Sequence, residues 1–214
     1  MNNNLPAHIA FGQQLSANEN VTISYNLSNS CGQSMSATQL CALGGTSLEK
    51  LLGEQELIYS SVKGSAHLRK LIAHFHQNYN NHEYQLSPDD VITFCGAQEA
   101  LSAIYQTVFN AEIVADDKIS EKLKELEIVV ITPCYPSLVT MAEQLGVKVR
   151  CLALNCQEEW QINQDEFLSL INENTRLIVL NSPHNPSGCI INSEFSEKIL
   201  AKAQEFNCYL LADD

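Results

Sequence analysis

The sequence has little positive charge. Its 214 residues include 12 lysines and arginines against 25 aspartates and glutamates, which leaves a formal net charge of −13 at pH 7. Such a field repels polyanions, so the composition argues against a nucleic-acid partner and against anionic membrane surfaces. The chain has no run of eighteen or more apolar residues, and its start lacks the basic residues and apolar core of a signal peptide. We therefore expect a cytoplasmic protein without a membrane contact.

Paired cysteines are also absent. The eight cysteines are scattered, form no C-x-x-C pair, and several lie inside apolar strand-like runs. This pattern is typical of small buried hydrophobic residues in a reducing compartment, and it argues against a disulfide framework and against a metal site. No G-x-G-x-x-G follows a predicted strand, which disfavours a dinucleotide-binding enzyme.

Strand-like and helix-like patterns alternate along most of the chain. The predicted strands are 90–95, 127–132, 147–153, 176–180 and 208–212, and the predicted helices are 65–79, 97–110, 135–145, 164–171 and 192–206. This alternation predicts an α/β fold with a doubly wound, mostly parallel sheet that is covered on both faces. Residues 1–48 are polar and weakly periodic, so they are predicted to form an extended N-terminal arm or part of a small domain. Residues 49–214 would then form the large domain.

The segment Asn181–Gly188 reads N-S-P-H-N-P-S-G and lies between a predicted strand and a predicted helix. By itself, such a stretch is typical of a surface turn. Here it follows a buried parallel strand, and open α/β sheets bind ligands at the carboxyl ends of their strands. The flanking pattern therefore favours a ligand-binding loop.

Two other strand ends carry residues suited to a flat, phosphorylated ligand. Gly96, Ala97 and Gln98 open a predicted helix, where free backbone N–H groups and the helix dipole favour a phosphate. The same strand–Gly–helix pattern is common where no ligand binds. Tyr135 lies between two prolines just past another strand, where it can stack on a planar ring or simply be a half-buried tyrosine at a helix start.

These motifs resemble those of the fold-type-I pyridoxal-phosphate (PLP) aminotransferases of class I/II. Segment 181–188 is similar to their N-x-P-x-N-P-[ST]-G loop, and Gly96–Ala100 to their G-A-x-x-A phosphate cup. Tyr135 stands in their P-x-[aromatic]-P context, and Ala212–Asp214 matches A-D-[ED]. Tyr59–Arg69 matches Y-x-x-x-x-G-x-x-x-L-R at every fixed position. The resemblance implies the large PLP-binding domain of such an enzyme, in incomplete form.

The resemblance also implies which residues hold the cofactor. Within one subunit, Gly96, Ala97 and Gln98 would bind the phosphate. Tyr135 would stack on the ring face, Asn185 would contact the ring hydroxyl, and Asp213 would contact the ring nitrogen. The Asp213 carboxylate would keep the ring nitrogen protonated. Tyr59 would reach the cofactor phosphate of the neighbouring subunit, which implies a homodimer. Cis peptide bonds are implied at Thr132–Pro133 and Asn185–Pro186.

The activity implied is amino-group transfer between an amino acid and a 2-oxo acid, by way of an external aldimine with PLP. A lyase or a cyclase on the same scaffold would share all of these contacts, so the sequence leaves both open. A non-catalytic remnant of the fold also stays open. A regulator's effector domain is disfavoured, because the acidic N-terminus has no basic helix-turn-helix.

Two departures from the family pattern affect the site. In the early segment that faces the substrate, Ser30 replaces the usual glycine and Gly32 the usual proline. Both are substrate-binding candidates, but the substrate cannot be carried over. The family's Schiff-base lysine lies downstream of the A-D-[ED] strand, so we expect it beyond Asp214 and assign no catalytic residue in this chain. We expect the 214 residues alone to be inactive, with an unpaired apolar strand edge at residues 208–211.

Overall fold

The computed structural model describes residues 32–53, 55–79, 85–113 and 123–214. The chain divides into two compact units, Met1–Val62 and Lys63–Asp214. The sequence predicted a different kind of boundary, between residues 48 and 49, where an N-terminal arm would give way to the large domain. That boundary stays a prediction.

The described part of the first unit contains two short helices. Helix α1 spans Ala37–Leu43 and helix α2 spans Leu48–Gly53. Ser36 caps α1, because its Oγ accepts a hydrogen bond from Gln39 N at 3.2 Å while the Gln39 side chain accepts one from Ser36 N at 2.8 Å. The predicted arm is thus helical at residues 37–43, where this reciprocal cap supplies a local start.

The described part of the second unit has its elements in the predicted order, except that no strand separates its first two helices. Its helices are α3 Ala66–Tyr79, α4 Ala97–Ile113, α5 Ser137–Leu145, α6 Gln164–Leu170 and α7 Ser193–Glu205. Its strands are β1 Glu127–Thr132, β2 Lys148–Ala153, β3 Thr175–Asn181 and β4 Tyr209–Asp213. Short 3-10 turns occur at Pro88–Asp90 and Cys156–Glu158.

The strands β1 to β4 form a parallel sheet in the order β2–β1–β3–β4. The two central strands, β1 and β3, are buried along nearly their whole length. Near-continuous apolar strands of this kind are expected where helices cover both faces of a parallel sheet. The predicted α/β fold with a parallel sheet is confirmed.

Two apolar clusters cover the two faces of this sheet. One cluster joins α4 and α5 to the strands, and the other joins α6 and α7 to them. Alternate residues of β1 serve opposite clusters: Ile128 and Val130 belong to the first, and Val129 and Ile131 to the second. This alternation follows from the two-residue period of a strand, and it makes the sheet doubly wound.

Local capping explains where the helices beside the loops begin and end. Asn192 Oδ1 accepts a hydrogen bond from Phe195 N at 2.9 Å, so Asn192 caps α7, which lies within the predicted helix 192–206. Helix α5 ends at Gly146, whose φ of +79° favours glycine at this position. Both ends agree with the sequence pattern.

The predicted strand at residues 90–95 is wrong. Residues 91–94 adopt no regular structure, and Ile92 and Phe94 stay 52% and 40% exposed. A strand needs a ladder of backbone hydrogen bonds to a neighbouring strand, and in the described chain the one long-range backbone hydrogen bond of this segment runs from Thr93 N to the Lys63 carbonyl at 3.1 Å. Apolar composition alone therefore overestimated the strand content here.

Three X–Pro peptide bonds in the second unit are cis. They are Thr132–Pro133, Ser182–Pro183 and Asn185–Pro186. The first and third were predicted from the family resemblance and are confirmed, whereas the second was not anticipated.

Strand β4 lies at an edge of the sheet. Its outer side pairs with no strand in the described part of the chain, and Tyr209 and Leu210 stay 63% and 37% exposed. The apolar edge expected at residues 208–211 is therefore present among the described residues. Of the helices described, none combines the length and apolarity that crossing a membrane requires.

Candidate active site

Three strands end at the same level on the carboxyl edge of the sheet. Asn181 of β3 and Asp213 of β4 are register partners, as are Val130 of β1 and Val179 of β3. Two residues further along, Thr132 ends β1 level with Asn181. Because neighbouring strands are about 4.8 Å apart, the three strand ends lie within about 10 Å of one another. The structure thus brings the loops that carry Tyr135 and Asn185 to the same edge as Asp213.

The loop after β1 presents Tyr135. Its carbonyl accepts a hydrogen bond from Leu138 N at 3.0 Å, which starts α5 directly after the loop. The buried Tyr105 of α4 donates its hydroxyl to the Leu138 carbonyl at 2.6 Å and so fastens the start of α5 to α4. Burial raises the pKa of Tyr105 far above its usual value, so this donor keeps its proton. Tyr135 is 37% exposed, which leaves part of its ring available to a planar ligand.

Cys134 precedes Tyr135 in this loop, but its thiol is not activated. Burial raises the pKa of Cys134 to about 11, and the neighbouring Cys151 adds to the effect. A nucleophilic cysteine needs the opposite shift, because only the thiolate attacks. The residue is therefore a packing residue rather than a catalytic one.

His184 holds the loop Asn181–Gly188 together from inside. Its ring is buried, with Nδ1 at 2.7 Å from Ser187 Oγ, and its backbone N donates to the Cys189 carbonyl at 2.8 Å. Burial lowers the pKa of His184, an effect that the Ile131 carbonyl partly offsets, so the ring is neutral near pH 7. Its Nε2 has no hydrogen-bond partner among the described residues. With His184 inside, Asn185 next to it is exposed at the sheet edge.

Asn181 is a residue of this edge to which the sequence analysis gave no role. Its Oδ1 accepts a hydrogen bond from Asn185 N at 2.6 Å, and its Nδ2 donates to the Asp213 carbonyl at 2.7 Å. The side-chain amide therefore joins the loop to the end of β4. Its place as the first residue of the N-x-P-x-N-P motif was the available signal, but no local pattern shows which backbone groups it reaches.

Asp213 ends β4 with a partly buried carboxylate. Its pKa is raised, mainly by burial and further by the charge of Asp214. A carboxylate that has lost part of its hydration interacts more strongly with a nearby cation than one in bulk water. The position thus suits a protonated ring nitrogen.

The predicted phosphate cup lies at the start of α4. Gly96 has a φ of +93°, and a Cβ built on it would meet no atom within 4 Å, so the space beside the helix start is open. The backbone N–H groups of the first helical turn, from Ala97 and Gln98 onward, have no partners within a helix. Glu99 Oε2 accepts a hydrogen bond from Cys95 N at 2.6 Å, which orders the turn in front of the helix. These groups fit a phosphate chemically, and their role as its ligands stays a prediction.

Part of the Tyr59–Arg69 motif has a structural explanation in the second unit. The Arg69 side chain, only 11% exposed, donates from Nε to the Gly64 carbonyl at 3.3 Å and from Nη1 to the Pro88 carbonyl. It thereby ties residue 64 to the segment that leads to the cup. Gly64 has a φ of +91°, and a Cβ there would lie 1.8 Å from Thr93 Oγ1, so this close approach requires glycine.

The remaining predicted site residues belong to the first unit. Tyr59 is fully exposed, as are Leu57 and Val62 around it. Gly32 is exposed, and a Cβ built on it would meet no described atom within 4 Å. Ser30 lies outside the described residues. For these three positions the site assignments stay predictions.

Comparison with known proteins gives the family. The family model "Aminotransferase class I and II" matches residues 15–214. The chain belongs to the class I and II aminotransferases. It is 30% identical over 158 residues to an aspartate aminotransferase of Musicola paradisiaca and 26% identical over 156 residues to an arginine–pyruvate transaminase of Pseudomonas aeruginosa. Each match covers 73% of this chain and 36% of the relative.

Solved structures show the same fold. A PLP-dependent aminotransferase of Streptococcus suis superposes with a TM-score of 0.65 at 22% identity, over 85% of this chain and 44% of that one. The chain therefore spans less than half the length of each of these relatives. Its membership explains the order of motifs along the sequence, and it makes PLP the cofactor expected for the family.

The close approach of Gly64 and Thr93 predicts that a larger side chain at residue 64 lowers the stability of the protein. Gly64→Ala should lower the free energy of unfolding by about 2–4 kcal/mol, since the new Cβ meets Thr93 and the left-handed backbone is strained. Gly146→Ala, at a similar φ but in open space, should lose only about 1–2 kcal/mol. Urea denaturation of both variants measures the difference.

Adding Thr93→Ala to Gly64→Ala should recover part of the lost stability, because the hydroxyl and methyl groups that meet the new Cβ are removed. Equal losses for Gly64→Ala and Gly146→Ala, with no recovery in the double variant, would show that the close contact is not present.

Proposed function

We propose that the protein is a PLP-dependent aminotransferase that moves an amino group between an amino acid and a 2-oxo acid. The observation that supports this most is that β1, β3 and β4 end side by side. The loops of Tyr135 and Asn185 and the carboxylate of Asp213 therefore lie at one edge of the sheet. A flat ring needs contacts to its face, its hydroxyl and its nitrogen, and these three residue types supply them. A cytoplasmic location is part of the same proposal.

When bound, PLP supplies an aldehyde that reacts with amino groups and a ring that accepts electrons from the α-carbon. The backbone N–H groups of Gly96, Ala97 and Gln98 would bind its phosphate at the positive end of α4. Tyr135 would cover one face of the ring and exclude water from it.

Two side chains would tune the ring. The Asn185 amide would donate to the ring hydroxyl, and the Asp213 carboxylate would hold a proton on the ring nitrogen. Because Asp213 is partly desolvated, its charge would favour the protonated nitrogen more strongly than a solvated carboxylate does. Holding this proton is the main chemical contribution proposed for the residues described.

The reaction type can be tested by following the amino nitrogen in the full-length protein. With PLP, a ¹⁵N-labelled amino acid and pyruvate, we expect the label to appear in a new amino acid, and to require the 2-oxo acid. Aspartate and arginine are suitable first donors. Release of labelled ammonia without an acceptor would instead indicate a lyase, and absence of both products with bound PLP would favour a non-catalytic protein.

The role of Asp213 predicts a specific loss of turnover. Asp213→Asn should lower turnover by about 100- to 1,000-fold, because a neutral amide cannot hold the ring proton by charge. Asp214→Asn is the matched control, since Asp214 is exposed and is given no contact with the ring. Steady-state kinetics of the two variants measure the contrast. Similar losses in both variants would contradict the assignment.

We also propose that the protein is a homodimer in which Tyr59 donates to the phosphate bound by the partner. The full exposure of Tyr59, together with Leu57 and Val62, supports this, since apolar side chains at such exposure are typical of a surface that another molecule covers.

Mixed dimers test this proposal. Subunits with Tyr59→Phe and subunits with Asp213→Asn should, when mixed, form one intact site in each mixed dimer. Activity above the average of the two parents is therefore expected. Activity equal to that average would place Tyr59 in the site of its own subunit or in none.

A further inference from the structure

One side chain connects the two residues proposed to face the ring. Asn181 is 9% exposed at the end of β3. Its Oδ1 accepts from the backbone N of Asn185 at 2.6 Å, and its Nδ2 donates to the backbone carbonyl of Asp213 at 2.7 Å. The same Asp213 carbonyl also accepts from Ser182 N at 3.3 Å, so the loop and the strand end are joined twice.

The chemistry of the link requires an amide. A buried carboxylate of the same size accepts hydrogen bonds but cannot donate one to a carbonyl, and a leucine of similar volume does neither. Because the group is buried, a partner left without its hydrogen bond is not compensated by water. Asparagine is thus the side chain of this length that satisfies both neighbours.

We propose that Asn181 is a positioning residue, which holds Asn185 and Asp213 at a fixed separation so that both address the same ring. This inference rests on the proposed function. Asn181 acts through the backbones of its two neighbours and has no assigned contact with the cofactor or the substrate. Ring contacts of this kind depend on placement to within about half an ångström, which a single rigid bridge between a loop and a strand supplies.

Another asparagine of the same strand–loop–helix unit provides a control. Asn192 caps α7 by accepting from Phe195 N at 2.9 Å, and it contacts neither Asn185 nor Asp213 through any described hydrogen bond. Its loss removes a helix cap and so lowers stability without cutting the bridge. Asn192→Ala therefore reports what general loosening of this unit does to the site.

The experiment compares four variants of the full-length protein with bound PLP: Asn181→Asp, Asn181→Leu, Asp213→Asn and Asn192→Ala. Three quantities are measured for each variant. They are the dissociation constant of PLP, the thermal stability, and the spectral pH, which is the pH at which the absorption spectrum of the bound cofactor changes. Asn181→Asp keeps the size of the side chain and the acceptor for Asn185, so it carries the test if Asn181→Leu does not fold.

We expect Asn181→Leu to weaken PLP binding by roughly tenfold, the effect of about one hydrogen bond. In Asn181→Leu the spectral pH should move from the wild-type value toward that of Asp213→Asn, because the carboxylate is no longer held against the ring nitrogen. Asn181→Asp brings a negative charge of its own to this edge, so it is compared by PLP binding, which should weaken as in Asn181→Leu. Asn192→Ala should lose stability and leave both the binding and the spectral pH unchanged.

A double variant tests whether the effect passes through Asp213. In an Asp213→Asn background, Asn181→Leu should move the spectral pH little further, since the carboxylate that it would misplace is already absent. A full additional shift in that background would overturn the coupling.

The proposal is also overturned if both Asn181 variants lose stability as Asn192→Ala does while PLP binding and the spectral pH stay at wild-type values. That result would make the bridge purely structural. Failure of the wild-type protein to bind PLP is a different outcome, which would reject the proposed function itself before any Asn181 variant is compared.

Discussion

The parallel pairing of β1, β3 and β4 is the constraint on which the rest of the structure depends. In a parallel sheet every strand points the same way, so all carboxyl ends meet at one edge. Here the pairing of Asn181 with Asp213 sets β3 and β4 level, and the pairing of Val130 with Val179 does the same for β1. A shift of one residue would turn every following side chain to the other face of the sheet. The loops that carry the candidate site residues are therefore placed by backbone hydrogen bonds within the sheet.

The two apolar clusters hold that register. Among the described residues, two helices cover each face of the sheet, and alternate residues of the central strands belong to opposite clusters. If a strand slipped by one residue, the side chains that now face one cluster would face the other side of the sheet. The present register is favoured because it buries the apolar side chains of the strands. The loops at the carboxyl edge follow strands whose register is held by this packing, and this makes them suitable for carrying residues whose chemistry depends on placement.

Several polar groups inside these loops are satisfied by local hydrogen bonds, with the buried His184 Nε2 as the exception among the described residues. Ser187 Oγ lies 2.7 Å from the buried His184 ring and accepts from Cys189 N at 3.2 Å, while the hydroxyl of Tyr105 fastens the start of α5. Burial keeps His184 neutral and Tyr105 protonated, so neither places a charge beside the carboxylate of Asp213. His184 and Tyr105 therefore add no charge at this edge, where the negative charge comes from Asp213 and its neighbour Asp214.

The sequence by itself determined the elements whose signals are local. Strand 127–132 and the helix predicted at 192–206 follow from apolar runs and helical spacing, and the motifs predicted the family correctly. The segment 90–95 looked like a strand, but strand formation depends on a partner that no local pattern reveals. Tertiary structure alone decided the sheet order and the reach of the Asn181 amide to Asn185 and Asp213, because these join residues distant in sequence. Periodicity specifies which face of an element is apolar, whereas only the packed chain specifies what that face and its polar neighbours meet.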